Sequence, residues 1–228
     1  MSSIIQVAGI IDKEEADLLC KAGVTHIGFP LRLPDGREDL SESEAKTVVS
    51  SMPPRVTAVL ITYLQDSNEV IDLSDYLGVG SVQLHGPISK DNLRKIRTQR
   101  QCLFIIKSLV IRADNLGELE KEVSRFHPFV DAFITDTYDP NTGRTGATGK
   151  THDWSTSRRL VELSPKPVIL AGGLTPKNVR AAIIRVRPAG VDAHTGVEGA
   201  GGRKAPTLVE ELVSEARQAF GFIEQALV

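Results

Sequence analysis

Cysteine is scarce in this chain of 228 residues: there are two, Cys20 and Cys102. Their spacing fits neither a metal-binding motif nor a disulfide framework, which points to a reducing compartment. Long apolar runs are missing as well. The longest are strand-sized and carry glycine or polar residues, so no membrane span is expected. No basic-then-apolar leader precedes the first strand, and a cytoplasmic location is expected. Basic runs are also lacking, and 27 Lys plus Arg against 29 Asp plus Glu give a formal net charge of −2. That balance argues against nucleic acid or an anionic membrane as the main partner. What is present is enough apolar content, 41%, to bury a substantial core, at a length common for one-piece α/β barrels.

One stretch organises the rest. Lys166–Leu174 runs as a short apolar segment into two glycines, and Thr175-Pro176 follows. A buried parallel strand needs apolar residues on both faces, and two successive glycines let a backbone come close to something. Thr175 is expected to cap the next helix and Pro176 to occupy its first position. A second glycine turn follows at Ala189–Glu198, where a brief strand ends near Gly196, with Gly199–Gly202 beyond. Paired glycine turns after the last two strands of a β/α barrel commonly bind phosphate through backbone N–H groups. Either turn alone could simply be a tight βα connection.

In chain order the hydrophobic periodicity predicts strands at Ile4–Ala8, Val24–Phe29, Val56–Thr62, Ser81–Leu84, Leu103–Lys107 and Val130–Thr135. Helices alternate with them at Lys13–Ala22, Glu44–Ser51, Ser67–Leu77, Ser89–Thr98 and Asn115–Phe126, the second opened by a capping box at Ser41 to Glu44. Asp136–Thr151 then reads as a sixteen-residue loop carrying Gly143, Gly146 and Gly149, and a loop of that length is usually functional. Asp153–Leu163 is the sixth helix, and Lys204–Ala219 the eighth. Eight strands alternating with eight helices, with no linker or low-complexity segment, predict a single-domain (β/α)₈ barrel over residues 1–228.

Strand ends of such a barrel face one mouth. Here they are Ala8, Phe29, Thr62, His85, Lys107, Asp136, Gly172 and Asp192, with His194 just beyond. Asp136 and Asp192 form a carboxyl pair that could divide acid and base work between two environments, or cap helices and tie down loops. A histidine titrates in a useful range for proton transfer, although one in a loop more often serves as a hydrogen-bonding residue.

The chain resembles phosphoribosylanthranilate isomerase, a single-domain barrel of tryptophan biosynthesis. The resemblance is carried by Val82-Gln83-Leu84-His85-Gly86, Asp136-Thr137, Gly146 to Asp153-Trp154, Ile169 to Val179, Gly190-Val191-Asp192 and Thr195 to Glu198. It implies an Amadori rearrangement of a small phosphosugar substrate, with no metal or redox cofactor. By the resemblance Asp136 takes the place of the general acid, and Gly172, Gly173 and Gly196 that of the phosphate cradle. Arg37 falls where the family binds the anthranilate carboxylate, with Arg32 as the alternative; His85 belongs to the substrate site. The first strand departs from the family. Where the family reads Lys-Ile-Cys-Gly, with the cysteine as base, this chain has Gln6-Val7-Ala8-Gly9, and Ala193-His194 stand where small hydroxyl residues are usual. Alanine accepts no proton, so the base would be Asp192, His194 or Asp136 acting twice. An enzyme for another phosphosugar, or a non-catalytic phosphosugar-binding protein, fits the same residues. Oligomeric state is not legible.

Overall fold

The computed structural model describes residues 3–139, 144–145 and 151–225. The expected loop glycines Gly143, Gly146 and Gly149 lie outside the described residues. Nine strands are described: β1 (Ile4–Ala8), β2 (His26–Pro30), β3 (Thr57–Thr62), β4 (Ser81–Leu84), β5 (Phe104–Ile111), β6 (Ala132–Asp139), β7 (Arg144–Thr145), β8 (Val168–Leu170) and β9 (Gly190–Ala193). All but β7 pair in parallel, in the order β1-β2-β3-β4-β5-β6-β8-β9, and β9 pairs back onto β1. The sheet is therefore closed, and closure removes the exposed edges that an open sheet must protect.

Among the described residues eight α-helices fill the connections: α1 (Lys13–Ala22), α2 (Glu42–Ser51), α3 (Ser67–Leu77), α4 (Lys90–Gln99), α5 (Leu116–Phe126), α6 (Trp154–Leu163), α7 (Val179–Val186) and α8 (Pro206–Gln225). Their starts are written locally. Asp12, Ser41, Asp66, Ser89 and Asp153 each accept a first-turn N–H through the side chain, and Ser41 with Glu44 completes a capping box. The expected Thr175 cap is not what forms. Residues 176–178 make a turn, α7 starts at Val179, and the Asn178 side chain accepts from Thr175 N–H at 2.8 Å while donating to Gly173 O at 2.9 Å. An amide can do both because its oxygen accepts while its NH₂ donates.

Two strands outrun their expected ends. β5 continues to Ile111 and β6 to Asp139, because the extensions pair with each other at Leu109–Thr135, Val110–Asp136 and Ile111–Thr137. Beyond them Tyr138 and Asp139 pair antiparallel with Thr145 and Arg144, so the start of the predicted loop is strand.

Side chains alternate across each strand and divide the core in two. Ala8, Val59, Ile61, Ile106, Ala132, Ile134, Ile169 and Ala171 fill the barrel interior, and the larger apolar set packs between sheet and helices. The same alternation corrects three expected mouth residues. Phe29 packs into the outer layer, and Thr62 Oγ1 accepts from Leu64 N–H. Lys107 also turns outward, donating to the carbonyls of Gly86 and Ser108 and lying over the Phe126 ring of α5. Among the described residues no helix is long and apolar enough to cross a membrane.

Candidate active site

The inward residues at the C-terminal ends of the strands surround a cavity of about 400 Å³, and Asp136, Asp192, His194, His85 and Arg37 all line it. Gly172, Gly173 and Gly196 line an adjoining recess that shares Asp136, Asp192 and His194 with the cavity. Residues drawn from five parts of the sequence thus converge on one mouth.

Asp136 is buried, and its Oδ1 accepts the N–H of Thr137 at 2.8 Å. Its Oδ2 lies 3.1 Å from His85 Nδ1, but the two are out of line for a hydrogen bond and neither atom has another partner. His85 leans on the Tyr63 ring, with centroids 5.5 Å apart. Its other nitrogen, Nε2, meets Gln83 Nε2 at 2.6 Å, and Gln83 Oε1 accepts from Gln6 Nε2 at 2.9 Å. Gln6 and Gln83 are both fully buried inside the barrel, an arrangement the apolar strand pattern gave no reason to expect. The one signal was an amide at position 6 in place of the family's lysine.

Asp192 stands beside Gln6 in the β1–β9 register. Burial pushes its carboxyl up to about 7, helped by the charge of Asp136 and opposed by the Gln6 amide and Lys204. His194 lies against β1: a Cβ placed on Gly9 would fall 2.2 Å from its Nε2. Gly9 therefore gives way to the histidine ring, and its φ of +71° also favours glycine. His194 Nε2 is 3.6 Å from Glu198 Oε1, and Lys204 Nζ ties Glu198 at 2.7 Å and the His194 carbonyl at 3.3 Å. Burial first, and then the Lys204 charge, hold the imidazole down to about 4 against the pull of Glu198, so it is neutral at physiological pH.

The glycine recess has no room for side chains. At Gly196 a Cβ would come within 1.8 Å of Leu174 O, and at Gly172 within 2.2 Å of Thr137 Oγ1. Gly172 and Gly173 have φ of +110° and +59°. Among the described residues neither donates its N–H to another protein atom, which leaves two donors for an anion. Behind Gly172 lies a residue the sequence reading missed, His152, whose Nδ1 meets Thr137 Oγ1 at 2.8 Å and whose Nε2 meets Ser157 Oγ at 2.6 Å. Burial holds it down to about 4. The sequence signal was only its place directly before the capping residue Asp153.

The two arginine candidates separate. Arg32 is engaged by Glu42 at 2.8 Å and by Glu69 at 4.0 Å, away from the cavity, whereas Arg37 lines it.

A closed β/α barrel that gathers carboxyls and imidazoles beside a glycine-lined recess at its C-terminal mouth has the architecture of the β/α-barrel enzymes. The sequence profile described as N-(5'phosphoribosyl)anthranilate (PRA) isomerase matches residues 5–215, and the chain belongs to that family. N-(5'-phosphoribosyl)anthranilate isomerase 2 of Methanosarcina mazei is 37% identical over 217 residues, 95% of each chain. The isomerase of Methanothrix thermoacetophila is 33% identical over 213 residues, 93% of this chain and 97% of its own. Among solved structures, phosphoribosyl anthranilate isomerase from Thermotoga maritima superposes with a TM-score of 0.80 at 27% identity, covering 95% of this chain and 99% of its own.

Proposed function

We propose that this chain, as a cytoplasmic enzyme of tryptophan biosynthesis, isomerises N-(5'-phosphoribosyl)anthranilate to the aminoketose, with Asp136 as general acid and His194 as the base that Ala8 cannot be. Asp136 gives a proton to the furanose ring oxygen, the C1–O bond breaks, and the nitrogen lone pair forms the Schiff base. His194 then removes the C2 proton, whose electrons neutralise the iminium as an enolamine, and tautomerisation to the ketone completes the rearrangement. The iminium makes that proton acidic, so a weak but unprotonated base suffices. The Gly172, Gly173 and Gly196 backbone takes the phosphate, and the Arg37 guanidinium suits the anthranilate carboxylate.

The observation that carries this reading is the place of the His194 ring, seated on Gly9 next to Ala8 and open to the cavity that Asp136 lines. Asp192 is the weaker candidate, since burial makes its carboxyl less acidic and favours its holding a proton. Substrate fluorescence lost on turnover supplies the assay. His194→Ala and Asp136→Asn should each lower kcat by about 10²–10⁴-fold. Adding Ala8→Cys to His194→Ala should restore part of the rate. Full activity in His194→Ala would show that the base lies elsewhere.

A further inference from the structure

His194 is held between two loops that share one hydrogen-bonded frame. Lys204, whose side chain is fully buried, donates to Glu198 Oε1 at 2.7 Å and to the His194 carbonyl at 3.3 Å. Its backbone N–H donates to Glu15 Oε1 at 2.9 Å, and Glu15 Oε2 accepts from Ile11 N–H at 3.1 Å, two residues beyond the Gly9 on which the ring lies. The buried Glu15 carboxylate thus joins the connection after β9 to the connection after β1. Glu198 Oε1 faces two nitrogens. It is bonded to Lys204 and lies 3.6 Å from His194 Nε2, too far for a hydrogen bond and close enough for a charge to be felt. A buried ammonium needs its counter-charge, so Lys204 keeps the carboxylate ionised and in place.

We propose that Glu198 and Lys204 are positioning residues that set the basicity of His194 in the isomerisation. Glu198 does so by facing the imidazolium that forms when the ring takes the C2 proton, and Lys204 by holding the same oxygen while the ring is neutral. The inference rests on His194 being the base. In the resting state the Lys204 charge offsets that of Glu198, so the ring stays unprotonated and able to accept. Once protonated, it carries its new charge beside an oxygen whose position is already fixed, and little has to reorganise. A carboxylate beside one ring nitrogen favours a hydrogen there. With Nε2 toward Glu198, Nδ1 is the nitrogen left to take the proton.

Other charged and titratable groups reach the ring from the cavity: Asp192 on β9, Asp136 on β6, and Arg37 and Asp39 after β2. On α1, Glu15 stands behind Lys204 and lies 3.6 Å from Arg203 Nε. The low range of His194 follows burial first and Lys204 second, with Glu198 opposing, which agrees with the frame.

Nitrogen-15 NMR of histidine-labelled protein reads the titration of His194, assigned by the signal lost in His194→Ala. Lys204→Met should raise its midpoint from about 4 by about 1–3 units, and adding Glu198→Gln should take back part of that rise. The acid limb of kcat/KM against pH should be displaced in the same order. Glu198→Gln alone, nearly isosteric, should lower kcat by about tenfold at neutral pH, because the imidazolium then forms without its counter-charge. Combined with His194→Ala, the two losses should not add. A midpoint unmoved in Lys204→Met, or moved equally with and without Glu198, overturns the inference, and so does a Glu198→Gln loss that persists in full without His194. Full activity in His194→Ala overturns instead the reading on which the inference rests. Should Lys204→Met fail to fold, the rates of Glu198→Gln with and without His194 decide the matter.

Discussion

Gly196 carries the sharpest demand on a single residue, because the space a methyl would need is taken by the Leu174 carbonyl at 1.8 Å. Backbone cannot swing aside as a side-chain tip can, so one of the two glycine turns must move. Gly196→Ala should destabilise the fold by about 1–3 kcal/mol and raise KM for a phosphorylated substrate while leaving Asp136 and His194 in place. Gly201→Ala is the control: nothing lies within 4 Å of its added carbon, and its effect should stay within about 0.5 kcal/mol. Urea denaturation and steady-state kinetics of the two variants check this; equal effects would contradict it. At this scale the sequence was legible where chemistry and position coincide. Asp136, His85, Asp192 and the glycines stood at strand ends next to turns. Gln6 and Gln83 were not legible as a connected pair, because they meet across the barrel from distant strands and nothing in either segment announces the other.

Among the elements, the connection from β8 to α7 shows how a turn is held when its helix starts late. Asn178 takes the Thr175 N–H and gives a hydrogen to the Gly173 carbonyl, so one amide fastens the glycine turn to α7. Asn178→Ala removes both bonds and leaves the reacting groups untouched. KM for the phosphosugar should rise several-fold with kcat within about twofold of the parent, since only uniform binding is lost; a fall in kcat alone would contradict this. The α2 capping box is independent of the site, and Ser41→Ala should cost about 1 kcal/mol in urea denaturation with unchanged kinetics. Element order was readable because alternation of apolar strands and amphipathic helices is a local signal. The lengths of β5 and β6 were not, since each extension exists only by pairing with the other.

For the whole molecule, burial of titratable groups links folding to pH, and three groups work in opposite directions. His152 and His194 sit near 4 in the folded chain against 6.5 in an open one. Between those values the unfolded chain binds their protons and the folded chain does not, so each histidine makes the fold less stable as pH falls, by up to about 1.4 kcal/mol per unit. Asp192 sits near 7 against 3.8, so from 7 downward the folded chain holds a proton that the unfolded chain has released. That proton stabilises the fold on acidification and offsets one histidine. From these groups the net loss between pH 6.5 and 4 is that of a single histidine. Asp192→Asn removes the counterweight and should roughly double the slope of unfolding free energy against pH in this window. His152→Phe should flatten it, because one histidine and one aspartate then cancel. Urea titrations at pH 6.5, 5.5 and 4.5 read all three slopes. If Asp192→Asn follows the parent slope, the aspartate holds no proton in the folded state, and the charge balance of the barrel mouth must be assigned to other groups.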